Sequence, residues 1–105
     1  MISRVLSTIL FVLILTIGSA QAGGDAARGA ELAVDCADCH GDDGAGDDES
    51  PALAGLDQAY HVEQLQAFKS GERDDESEMM AMYVEDLSEQ DMADLAAYYA
   101  SIGGN

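Results

Sequence analysis

The sequence predicts an all-α fold, on three observations. Apolar residues recur at helical spacing in three stretches, no stretch shows the strict alternation of a strand, and Gly- and Asp-rich segments separate the three. Three main helices joined by long loops follow from that pattern.

The chain begins with a segment that does not belong to the folded unit. Arg4 precedes an apolar run from Val5 to Ile17, and the small residues that follow end in Ala20-Gln21-Ala22. That is the layout of an export signal with a cleavage site after Ala22. The run is shorter than the roughly 20 apolar residues that cross a bilayer, so a retained membrane anchor is the weaker reading. No Cys closes the leader, which argues against a lipoprotein. Residues 1–22 therefore read as a signal peptide and residues 23–105 as one domain in the periplasm.

The first helix is expected from about Asp25 to Cys36, with Ala26, Ala30, Ala33 and Val34 on one face. The second is expected from about Gln58 to Lys69. There Leu65 and Phe68, with Tyr60 or His61 a turn earlier, make an apolar stripe, and Gly71 is a natural stop. The third opens at Ser88, a good N-cap, with Glu89 and Asp91 where the helix dipole favours acids. It runs through Met92, Leu95, Ala96, Tyr99 and Ile102 to Gly103-Gly104. The segments between, Gly41 to Asp57 and Gly71 to Leu87, read as irregular. Loops of that length in a small domain usually serve a function.

Charge excludes some partners. The chain has 21 acidic residues and four basic ones, net −17. All the acids lie after the leader, where only Arg28, Lys69 and Arg73 are positive. Nucleic acid and anionic lipid are excluded as partners. The acids are spread along the whole domain and Lys is nearly absent. A solvated, halophile-like surface is therefore favoured over an acidic docking face. A domain this small buries a modest core and benefits from a cofactor, metal or disulfide as a staple.

The chemistry lies in Cys36-Ala37-Asp38-Cys39-His40. C-x-x-C-H is the pattern of covalent c-type haem attachment. Two cysteines three apart on a helical turn project to one side. Each can form a thioether with a haem vinyl group while the next residue, His40, presents imidazole to the iron. Three other readings fit the residues less well. A thioredoxin-like pair needs a βαβ context, which is missing. Zinc needs four ligands, and only His61 remains besides His40. A plain disulfide leaves His40 and the methionine cluster unexplained. The Gly-Asp-rich stretch at 41–48 lacks the ligand series of a calcium loop and reads as a solvated turn.

With these residues in view, the chain resembles class I c-type cytochromes, especially short bacterial single-haem domains of the c-553 and c4 kind. The matching pieces are Cys-Ala-Asp-Cys-His-Gly at 36–41, Pro-Ala-Leu-Ala-Gly at 51–55 and Tyr-His-Val-Glu-Gln-Leu at 60–65. They continue with Phe68 to Gly71, Met79-Met80, and Leu87 to Asp91 running into Leu95-Ala96-Ala97-Tyr98-Tyr99. The resemblance implies the cytochrome c fold, one covalently attached haem c with its iron, and single-electron transport rather than enzyme catalysis.

It also implies site residues. Cys36 and Cys39 would carry the haem. His40 and a methionine eight residues before the helix-opening Ser, hence Met80, would be the axial ligands. Met79 is the second choice, and Met82 and His61 are remoter ones. In the family the backbone carbonyl of the proline after the motif, here Pro51, orients the histidine, and Leu53 packs on the haem. Gly29 and Tyr98 match the small and aromatic residues at which the first and last helices cross. Ala33 stands where the family often has another aromatic. Surplus methionines are expected to pack against the haem rim, and His61 to have a packing or surface role. Expected partners are redox proteins such as other cytochromes, an oxidase or a reductase, with no small-molecule substrate, on a monomer or weak dimer. A haem enzyme or gas sensor with an open distal site is the competing class, and the methionine cluster speaks against it.

Overall fold

The computed structural model describes residues 24–103. The leader reading falls on residues outside this range. Five helices and no strand occur among the described residues: α1 (Ala26–Leu32), α2 (Val34–His40), α3 (Gln58–Ser70), α4 (Met79–Val84) and α5 (Glu89–Ile102). None is long and apolar enough to cross a membrane.

Two differences from the sequence reading stand out. The expected first helix is two helices that break at Ala33, and the second of them runs on through the whole C-x-x-C-H motif. Ala33 stays in the right-handed region (φ −72°, ψ −8°) and is buried, so the break is a tightened turn rather than a reversal. The other difference is α4, which lies inside a stretch expected to be irregular. Its six residues are nearly all apolar, and no side chain caps it. It therefore shows neither periodicity nor a start signal.

α3 and α5 follow their signals closely. Asp57 caps α3 by accepting from the Tyr60 amide, and Gly71 ends it in the left-handed conformation (φ 85°). That is the conformation in which glycine is favoured. At α5, the Ser88 hydroxyl accepts from the Asp91 amide and the Asp91 carboxylate accepts from the Ser88 amide, each at 3.0 Å, closing a capping box. These contacts hold the Asp91 carboxyl below its usual range, the Ser88 amide foremost.

The core lies between α3, α4 and α5. Leu65, Phe68, Val84, Met92, Leu95 and Tyr99 are buried together, with Ala33 beside them. α1 crosses α5 at Gly29, where a Cβ would run into the Asp94 carbonyl and the Tyr98 side chain. The same crossing carries a polar clasp. The buried Asp94 carboxylate accepts from the Asp25 amide (2.7 Å), Gln90 Nε2 (2.8 Å) and Arg28 Nη1 (3.3 Å). A buried carboxylate left without such donors would cost several kcal/mol, so the clasp is what lets Asp94 be there.

The 41–57 loop is stitched to both neighbours. The Gly46 amide donates to the His40 carbonyl (2.8 Å), and the Leu53 and Ala54 amides donate to the Gly44 carbonyl (2.8 and 3.0 Å). The Gly55 amide donates to the Tyr99 carbonyl (2.9 Å). Asp43 and Asp47 turn their carboxylates onto local amides. That supports the solvated-turn reading of this stretch. Among the described residues no group of three or more His, Cys, Asp or Glu could hold a metal ion.

Candidate functional site

Two adjoining cavities open beside the end of α2, with volumes of about 350 and 730 Å³. They share Cys36, His40, Glu49, Ser50, Asp75 and Met80. Both lie in the range of ligand pockets, about 300–1,000 Å³.

α2 positions three of the sequence-selected residues together. Cys36 is half-buried and lines both cavities, whereas Cys39 is exposed and lines the larger one only. Both thiols are free. Burial pushes the Cys36 thiol up, while the Tyr99 hydroxyl beside it pulls the other way. His40, the last residue of α2, is buried, and its Nδ1 lies 2.7 Å from the Pro51 carbonyl. A carbonyl only accepts, so Nδ1 carries the proton and donates. Nε2 then keeps its lone pair, the protonation pattern of a metal-bound imidazole oriented from behind. The stitched loop is what brings Pro51 there. Leu53 of the same loop is half-buried against the core and lines the smaller cavity.

The three loop methionines are separated by their environments. Met80 is half-buried, packs against the core and lines both cavities. Met79 lines only the larger cavity and is 40% exposed. Met82 is 68% exposed and lines neither cavity; it faces Lys69, Ala81 and Glu85 instead. The expectation that Met82 packs against a haem rim is therefore corrected. Met92 is fully buried in the core, as its place in the third helical pattern implied.

His61 is one residue whose position the sequence left open. It is 3% exposed, lines the smaller cavity, and its ring lies 5.6 Å from that of Tyr99. Burial, with a lesser push from His40, lowers its pKa to about 4, so the imidazole is neutral at pH 7. The signal was its position four residues before Leu65 and seven before Phe68, on the same buried face of α3.

The donor set suits a haem. Two thiols three apart, an imidazole with Nε2 free and a thioether on a facing segment border one space of mainly apolar lining. Of the residues lining the smaller cavity, His61 has a buried Nδ1 with no hydrogen-bond partner among the described residues, and the buried Tyr99 hydroxyl lies beside the Cys36 thiol.

The comparisons with known proteins agree with this geometry. The family model described as Cytochrome c matches residues 26–102. The chain is 42% identical over 100 residues to cytochrome c4 of Pseudomonas aeruginosa, covering 94% of this chain and 48% of that one. Its structure resembles a thiosulfate dehydrogenase from Marichromatium purpuratum, with TM-score 0.71 and 34% identity over 78% of this chain and 20% of that one. It also resembles cytochrome c4 of Acidithiobacillus ferrooxidans, with TM-score 0.68 and 31% identity over 78% of this chain and 51% of that one. The chain spans about half the length of the curated cytochromes c4 it matches.

Proposed function

The chain belongs to the cytochrome c family, and from that membership we propose that it is an exported single-electron carrier with one covalently held haem. Haem c supplies the one-electron iron couple when bound. The residues do the rest. Cys36 and Cys39 anchor the group as thioethers, so that a small, partly open domain keeps it without a deep pocket. His40 would ligate through Nε2 while Pro51 fixes its ring. Met80 would supply the second iron ligand, and a thioether there would favour the reduced state and raise the potential. Leu53, Leu65, Phe68 and Leu95 keep water from the inner side. Export through the leader would bring Cys36 and Cys39 to the compartment where bacterial c-type attachment occurs.

The observation that carries this reading is the His40–Pro51 contact at the mouth of a cavity also lined by Cys36 and Met80. It supports iron ligation over a disulfide or thiol-redox role, neither of which would need an oriented imidazole. Electrons would pass at the exposed Cys39 side in brief contacts with redox proteins, which bury less than about 1,200 Å². Enzyme chemistry at the iron needs an open coordination position, and Met80 stands ready to fill it.

The test is the spectrum and mass of the protein made in cells competent for haem attachment. A c-type α band on reduction, a mass gain of one haem and the red charge-transfer band of Met-ligated ferric iron are expected. A colourless product of unmodified mass would overturn the proposal.

A further inference from the structure

Tyr99 is the largest fully buried side chain of the described residues, yet it ends in a polar atom that ligation and anchoring do not use. It is 1% exposed, and its hydroxyl has no hydrogen-bond partner among those residues. Three neighbours fix its ring. The Tyr98 ring meets it edge-on at 5.0 Å, and the His61 ring lies 5.6 Å away. The Gly44 backbone comes so close that a Cβ there would stand 3.0 Å from it.

A ring held on three sides aims its hydroxyl in one direction. Beside that hydroxyl is the sulfur of Cys36, a residue that packs against the same core and lines the same cavity. Burial foremost pushes the phenol pKa up, so Oη keeps a proton to give at neutral pH. Leaving such a donor unmatched in a finished protein would cost about 1–3 kcal/mol.

The chemistry of the sulfur fixes the direction of the contact. A thiol is a weak donor and acceptor, whereas a thioether has no proton and only accepts. We propose that the Tyr99 hydroxyl donates a hydrogen bond to the Cys36 sulfur once that sulfur is part of the haem linkage, which makes Tyr99 a positioning residue for one of the two thioethers. The inference rests on the haem reading above. It makes the two linkages unequal. The Cys36 linkage is half-buried and held by a donor, while exposed Cys39 lies on the larger cavity, which Tyr99 does not line.

Resonance Raman spectroscopy of the haem-bearing protein tests this, because it reads carbon–sulfur stretching of the thioethers. Cys36→Ala keeps only the Cys39 linkage and so identifies the band of the inner one. Tyr99→Phe, which removes one oxygen, should shift that band and leave the Cys39 band in place. It should also lower the midpoint potential, because a hydrogen bond to the sulfur draws electron density from the porphyrin edge. In the Cys36→Ala background the same substitution should leave the potential unchanged, a non-additivity that a merely structural role would not produce. NMR of the reduced protein should find a slowly exchanging Tyr99 hydroxyl proton with cross-relaxation to the Cys36 linkage, and it decides the matter if Cys36→Ala fails to mature. Unshifted bands in Tyr99→Phe, or an equal change of potential in both backgrounds, would overturn the inference. So would loss of the hydroxyl signal in His61→Leu, since the hydroxyl would then serve His61 Nδ1. A normal c-type α band in the same samples would leave the electron-carrier reading standing either way.

Discussion

The two long connections flanking the cavities are built on opposite principles. The 41–57 loop is held by backbone hydrogen bonds to His40 and to Tyr99 and by Asp side chains turned onto its own amides. The 71–87 segment is held mostly by apolar contact through Met80, Val84 and Leu87. It enters α4 through Glu78, a non-glycine residue in the left-handed region (φ 59°), and α4 has no side-chain cap. Backbone hydrogen bonds fix an atom's direction, whereas apolar contact fixes only its neighbourhood. The His40 side of the iron should thus be rigid and the Met80 side yielding. An order of failure follows: Met80 should leave before His40 does.

The largest expected effects separate the two sides directly. His40→Ala should abolish accumulation of the haem-bearing form, read as loss of the α band in cell extracts. Met80→Ala should keep the covalent haem, lose the red charge-transfer band, lower the midpoint potential and admit carbon monoxide. It should also cost about 2–3 kcal/mol of stability in denaturant titration, from lost packing. Equal loss of colour in both variants would erase the proposed asymmetry.

Next in size is a paired backbone test. Gly44 sits at φ 68°, and a Cβ there would stand 3.0 Å from the Tyr99 ring and 3.2 Å from the Ala54 amide. Gly44→Ala should cost about 2 kcal/mol. Glu78→Gly should do the reverse, stabilising by about 0.5 kcal/mol, because it relieves left-handed strain at a small entropic cost. Hydrogen exchange should show the same division, with the Gly46, Leu53 and Gly55 amides opening at higher free energy than those of Ala81 to Val84.

The smallest effect contrasts capped α5 with uncapped α4. Asp91→Ala should cost about 1 kcal/mol at neutral pH through the lost capping box. The folded-state pKa of Asp91 is lowered, so its contribution is present above the ordinary carboxylate value and is lost as pH falls through the folded one. The stability gap between wild type and variant should therefore close in strong acid.

Much of this arrangement was legible in the residues. C-x-x-C-H pointed to the chemistry by spacing, and Gly71 and Ser88 marked the end of α3 and the start of α5 by caps that work locally. What escaped depends on distant groups. Ala33 has no breaking tendency of its own, and α1 parts from α2 where Ala33 is buried against the core. α4 has an apolar residue on nearly every side and a strained entry, so only packing against α3 makes it a helix. The separation of Met80 from Met82 followed from which way α4 faces, which spacing among adjacent methionines does not encode.

The Asp25–Asp94 hydrogen bond joins residues 69 positions apart. No ribosome or translocation pore can deliver that pair early, because α5 emerges after the other described helices. Until it arrives, α1 has no crossing partner and Tyr99 is not yet beside Cys36. The clasp thus couples the two ends of the described fold: α1 can dock only after α5 has been made.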